Sequence, residues 1–194
     1  MHQTLTTVLN DARFHELLLQ LDQDLAAPVR AGGCPTCSAV LHSAPFTRKP
    51  RGVQVRLSRE HRQRLSFCCA KDGCRQRATP PSLRFLGRKV YLGGLVVLIS
   101  ALRCGPTPTR LTQLQGLVGV SRRTVLRWRR WWREVFTQSV FWRAVCADFM
   151  PPVETAELPA SLLVRFVGQV PEQLNALLRF LAPATAGTSA VRAL

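Results

Sequence analysis

"LTQLQGLVGVSRRTVLRWRRWWREVF" spans Leu111 to Phe136 and places six arginines and three tryptophans in its second half. Leu111, Leu114, Leu117 and Val118 set out a first helix, preceded by Pro108 and Thr109. Gly119 supplies a left-handed turn residue, Val120 plugs the angle between two helices, and Ser121 is a good N-cap for the second. From there Val125, Trp128, Trp132, Val135 and Phe136 fall within an arc of about 100° on a 3.6-residue wheel. Arg122, Arg123, Leu126, Arg127, Arg130 and Arg133 occupy most of the other side, and Trp131 sits at the edge of the apolar stripe. A helix so divided packs its tryptophans on its own domain and presents its charge. A helix lying on a membrane would leave the aromatic face unused by the protein, and would need no Gly-apolar-Ser turn ahead of it.

This pattern resembles the bacterial helix-turn-helix, with Leu114, Val118, Gly119, Val120, Val125 and Trp128 at its fixed apolar and glycine places. It departs at Gln115-Gly116: the pattern expects a small residue, usually alanine, at the first of the two, where this chain has Gln115. The resemblance implies that the N-terminal half of the second helix enters the major groove of DNA. Arg122, Arg123 and Arg127 are then the expected readers of base edges, because arginine pairs bidentately with guanine. Ser121, Thr124, Arg130 and Arg133 are the expected phosphate contacts.

The charge around this stretch agrees with a polyanionic partner. The chain has 194 residues and a formal charge of +16. Between Arg48 and Arg133 stand 21 lysines and arginines against only Glu60 and Asp72, whereas Asp11, Glu16, Asp22 and Asp24 make the N-terminal stretch acidic. Nucleic acid ranks ahead of an anionic membrane for such a block. Residues 1–10 lack the basic start and apolar run of a secretory signal. The longest apolar stretch, "VYLGGLVVLISAL" (Val90–Leu102), falls short of the roughly 20 residues of a membrane span. It reads as a buried helix.

Seven cysteines with no even framework suit metal or core roles in a reducing compartment better than disulfides. "GGCPTCSAVLH" contains Cys34-x2-Cys37, a tight turn that lets two thiolates share one tetrahedral zinc. "SFCCAKDGCRQR" offers a second pair, Cys69 with Cys74, or Cys68 in place of Cys69. Strand alternation puts Phe67 and Cys69 on one face and Cys68 on the other, so only one of them points at the metal. Cys69 is preferred for the wider turn through Gly73. His42 and His61 are the alternatives for one thiolate. Four cysteines leave zinc no open position, which makes the ion structural, the partner of a β-rich segment too small to fold alone. Cys104 and Cys146, alone on helical stretches, read as core residues. Around the cysteines stand Arg48, Lys49, Arg51, Arg56, Arg59, Arg62, Arg64, Lys71, Arg75 and Arg77, a surface able to neutralise phosphates.

The expected fold is mainly α with a small β-rich zinc ribbon, built on a three-helix helix-turn-helix core with flanking amphipathic helices. Residues 1–30 form an N-terminal amphipathic helix, its stripe Phe14, Leu17, Leu18, Leu21 and Leu25 ended by Pro28 and Gly32-Gly33. Residues 34–84 form the ribbon, with "RGVQVRL" and "RLSF" as strand-like runs. Residues 85–149 form the helix-turn-helix domain, interrupted at "CGPTPT". Residues 150–194 carry two short helices, "PASLLVRFV" and "PEQLNALLRFL", each opened by proline. The final "APATAGTSAVRAL" is expected to fray.

A cysteine ribbon, then "TPPSLRFLGRKVYLGGLVVLISALRCG", then a helix-turn-helix is an order that resembles the N-terminal DNA-binding region of bacterial insertion-sequence transposases. The resemblance covers Cys34 to Phe136. Such transposases cut DNA with an acidic triad and two magnesium ions on a ribonuclease-H-like fold of well over a hundred residues. Only 61 residues follow Arg133, and Glu134, Asp148, Glu154, Glu157 and Glu172 lie there without strand context. No Gly-rich phosphate loop, HExxH or Gly-x-Ser-x-Gly occurs. The expectation is a zinc-stabilised binder of double-stranded DNA, not an enzyme, acting in the bacterial cytoplasm on the nucleoid as a transposition accessory or regulator. Its expected protein partners are a second copy or a transposase or recombinase. The alternatives are an RNA or ribonucleoprotein binder and a nuclease subunit completed by another chain.

Overall fold

The computed structural model describes residues 7, 8, 10–48, 57–85, 107–109, 112 and 121–186. The first helix and turn of the expected helix-turn-helix, and the apolar stretch Val90–Leu102, lie outside the described residues. So do "RGVQVRL" (apart from Leu57), Cys104 and the last eight residues. What is described is mainly α with a small β part.

Helix α1 (Ala12–Ala31) starts at Asp11, whose carboxylate accepts from the Arg13 backbone N–H. It buries Phe14, Leu18, Leu19 and Ala26, with Leu21 and Leu25 half-buried, while Leu17 is 46% exposed. Pro28 does not end the helix. It lies within the last turn, where the missing N–H costs only one bond to Asp24; both residues are exposed, so water can serve that carbonyl. The stop comes at Gly32, whose N–H bonds Pro28 O at 2.9 Å.

Five short strands follow: β1 (Leu41–Ser43), β2 (Phe46–Thr47), β3 (Gln63–Arg64), β4 (Phe67–Cys69) and β5 (Arg77–Ala78). Antiparallel β1-β4-β5 form one sheet, with Leu41 opposite Cys69 and Phe67 opposite Ala78, and β2-β3 form a second. Helix α2 (Arg122–Arg130) continues as a π-wound segment over Trp131–Phe136. Then come α3 (Val140–Val145), α4 (Ala160–Leu163) and α5 (Val170–Leu181). Proline does open the last two: Pro159 caps α4 and Pro171 lies in the first turn of α5.

Two apolar cores result. The larger gathers Val125, Trp128, Trp132, Phe136 and Trp142 against Leu158, Leu162 and the α5 leucines 174, 177, 178 and 181. The smaller holds Cys34, Leu41, Phe67, Cys69 and Ala78. Helix α1 serves both, giving Phe14 and Leu18 to the first and Ala26 to the second.

A buried polar clasp ties these parts together. Asp22, 1% exposed, accepts from Ser82 Oγ at 2.6 Å, Leu83 N at 2.7 Å and Arg84 Nε at 2.8 Å. Arg84 also donates to the carbonyls of Glu60, His61 and Gln63. Arg64 is buried as well, donating to the carbonyls of Pro80, Pro81 and Thr185. It is therefore a structural cation and leaves the phosphate-facing set expected of it. Burial pushes its guanidinium down to about 10; the Asp22 charge opposes the shift, and Arg84 and Arg48 add to it. The beginning of the tail does not fray: Ala182–Thr185 form a 3-10 turn, and Thr185 Oγ1 accepts from Ser82 N at 2.8 Å.

Candidate functional site

The cysteine site is built by two turns. In the first, Ser38 N bonds Cys34 O and Cys34 N bonds Ala39 O, both at 2.8 Å. That curl needs Gly33 at φ 74°, where a Cβ would sit 2.9 Å from Ser38 O. In the second, Cys74 N and Arg75 N both reach Lys71 O, and Gly73 turns with φ 82°. Strand β4 carries Cys69 in its buried phase, opposite Leu41 of β1.

The sulfurs of Cys34, Cys37, Cys69 and Cys74 all lie within 4.8 Å of one another. Cys34 and Cys74 approach to 3.7 Å and Cys37 and Cys69 to 3.5 Å, and no disulfide joins them. Four thiolates about 2.3 Å from a tetrahedral ion stand about 3.8 Å apart, so the set fits a metal. Cys69, not Cys68, belongs to it. Alternation turns Cys68 away, with its sulfur 3.5 Å from Arg75 O. His42 is exposed, and His61 meets Ser58 Oγ and Glu16; neither joins the cluster. Cys146 packs half-buried against the larger core.

Local fields differ among Cys34, Cys69 and Cys74. The Thr36 backbone N–H, helped by that of Cys37 and the Cys37 and Cys74 sulfurs, draws Cys34 down to about 6 against burial. Burial pushes Cys69 up to about 12. For Cys74 the Gln76 N–H lowers the pKa, but burial and the Cys37 and Cys34 sulfurs outweigh it and leave it raised. Lys71 N lies 3.4 Å from Cys69 Sγ, a backbone N–H aimed at a sulfur as thiolate ligands require.

The second cluster is helix α2. Ser121 caps it, accepting from Thr124 N, and the Ser121 and Thr124 hydroxyls lie 3.0 Å apart. Val125, Trp128, Trp132 and Phe136 are buried; Arg122, Arg123, Arg127, Arg130 and Arg133 are exposed. Val135 departs from the wheel's expectation and Thr124 from the phosphate contact expected of it, while Trp131 sits at the edge of the stripe as expected. Thr124 is turned inward, 8% exposed. Val135 is 55% exposed because the π-winding turns fewer degrees per residue, keeping Phe136 inward and rotating Val135 out. Trp131 lies half-buried with its ring edge-on to Trp132 at 5.2 Å.

Around the cysteines, Arg59, Arg62, Lys71, Arg75 and Arg77 are exposed, and Arg48 and Arg77 lie over the Phe46 ring at 4.7 and 5.7 Å. Lys49, Arg51 and Arg56 lie outside the described residues. The sequence reading missed the clasp, since nothing local to Asp22 points to a partner 60 residues on. It also missed a cleft between α2 and the turn at Thr155–Ala156. Among the described residues no helix is long and apolar enough to cross a membrane. Comparison of the chain with family models, with curated proteins and with solved structures finds no match.

Proposed function

We propose that this protein is a zinc-stabilised binder of double-stranded DNA that engages the duplex through helix α2, and that it is related to the DNA-binding region of insertion-sequence transposases. The observation that carries the reading is the division of α2. Its tryptophans anchor it in the larger core, while Arg122, Arg123 and Arg127 stand exposed just behind a Ser121 cap. A helix held rigidly from behind, with arginines in its first turns, has the form that enters a major groove and pairs with guanine edges. The four cysteines support zinc as the ion: all-thiolate tetrahedral sites suit zinc, and the absence of an open ligand position makes it structural. The cations around them neutralise phosphates without reading sequence. On this reading the protein works on the nucleoid, as an accessory or regulator of transposition, with a second copy or a recombinase as its protein partner.

Competition between a 20-base-pair duplex and a structured RNA of equal length, at matched salt, tests the reading. Preference for the duplex is expected. Preference for the RNA replaces the reading with a ribonucleoprotein role. Magnesium-dependent nicking lost on mutation of a carboxylate replaces it with a nuclease role.

A further inference from the structure

The C-terminal half of α2 faces a cleft of about 470 Å³ that is separate from the helix's outer tip. Arg129, Arg130 and Arg133 line one wall, and Thr155 and Ala156 line the other. Leu126, 42% exposed, closes part of the apolar side. Among the described lining residues the only acid is Glu134, which is engaged by Arg130 Nε at 2.6 Å. Three guanidiniums thus meet one carboxylate among the described lining residues, and the Glu154 carboxylate, which accepts from Ala156 N at 3.1 Å behind the second wall, still leaves the cations in excess.

Arg129 is the one lining arginine that is half-buried. Its Nε is closed to solvent and, among the described residues, has no hydrogen-bond partner. An unpaired, solvent-shielded guanidinium N–H is costly, and a turn of this half-buried side chain toward an acceptor in the cleft removes that cost. The acceptor best matched to several convergent guanidiniums is a tetrahedral phosphate, which takes N–H donors from more than one side.

We propose that this cleft is a phosphate-binding site and that its phosphate comes from the backbone of the same duplex that α2 engages, an assignment that rests on the DNA reading above. The chain after α2 then has a part in binding. The Thr155–Ala156 turn forms the second jaw of a clamp whose first jaw is Arg129, Arg130 and Arg133.

Two probes test it on the full-length chain. Inorganic phosphate is titrated while the Arg129 Nε–H resonance is followed by NMR, in wild type and in Arg133→Gln and Ala156→Asp. A saturable shift is expected, weakened at least several-fold by either substitution. Separately, affinity for a 20-base-pair duplex is measured across a salt series. The slope of log affinity against log salt should shrink by about 0.9 in Arg129→Gln. It should shrink in Ala156→Asp as well, and be unchanged in the control Arg143→Gln. Arg133 and Ala156 are exposed, so those variants do not depend on the core for folding.

A shift with inorganic phosphate but unchanged slopes in Arg129→Gln and Ala156→Asp overturns the backbone assignment and makes free phosphate the source. No shift, with duplex affinity intact and slopes unchanged, overturns the site and leaves the DNA reading standing. A shift in a wild-type protein that binds no duplex overturns the DNA reading and keeps the phosphate site.

Discussion

Asp22 Oδ2 accepts from Arg84 Nε at 2.8 Å across 62 residues of chain, with the two side chains 1% and 5% exposed. The same carboxylate holds Ser82 Oγ and Leu83 N, so one acid on α1 fixes the segment that leads away from the cysteine module. Removing one partner of a buried pair leaves the other charge uncompensated, at a cost of about 3–5 kcal/mol. Asp22→Ala should therefore lower stability by about that amount in urea unfolding followed by tryptophan fluorescence. A loss below about 1 kcal/mol contradicts the clasp.

Ligand choice among adjacent cysteines makes a sharper test. Cys69→Ser should lower the metal content of purified protein well below one equivalent, while Cys68→Ser should keep it at one. The reason is local: Cys69 shares the buried phase of β4 with Phe67, and Cys68 does not. Equal retention in both variants, measured by elemental analysis, would contradict the assignment.

Zinc affinity should fall as pH falls, in two regimes. Cys34 has its pKa drawn down to about 6, so its thiolate persists as pH falls to about 6 and is lost below that. Cys69 and Cys74 are raised, so both carry protons at neutral pH that zinc must displace. Buffer-dependent calorimetry should then show net proton release on zinc binding near pH 7, to which Cys69 and Cys74 contribute and Cys34 adds little. Affinity should drop more steeply once pH passes below about 6. A constant slope from pH 8 to pH 5 would contradict this ordering.

The helix cap and the tryptophan anchor should separate in magnitude. Ser121→Ala removes the acceptor for Thr124 N and should cost about 1 kcal/mol. Trp132→Ala empties a fully buried site and should cost about 3–5 kcal/mol. Thermal unfolding of the two variants checks the ordering, and a larger loss from Ser121→Ala would contradict it.

The features legible in the sequence were those whose cause is local. Cys34 and Cys37 share one turn, Ser121 caps its own helix, and Trp128 and Trp132 are one helical turn apart, so spacing alone places them. Asp22 was read only as part of an acidic stretch, because its partners lie about 60 residues away. Arg64 looked like a surface cation for the same reason: the carbonyls of Pro80 and Thr185 that bury it are distant in the chain. Val135 was misplaced because a 3.6-residue wheel assumes regular winding, and the π segment begins at Trp131. The Arg129 cleft escaped notice because its second wall is supplied by Thr155 and Ala156, beyond the helix pattern.

The central claim is that the exposed arginines at the start of α2 read DNA sequence. The direct measurement selects a preferred duplex from random DNA, then compares its affinity with that of a scrambled duplex, for wild type and for Arg122→Ala with Arg123→Ala. The account predicts that the double variant loses at least tenfold on the preferred duplex and keeps its weak affinity for the scrambled one. Equal loss on both duplexes would contradict base reading by these arginines.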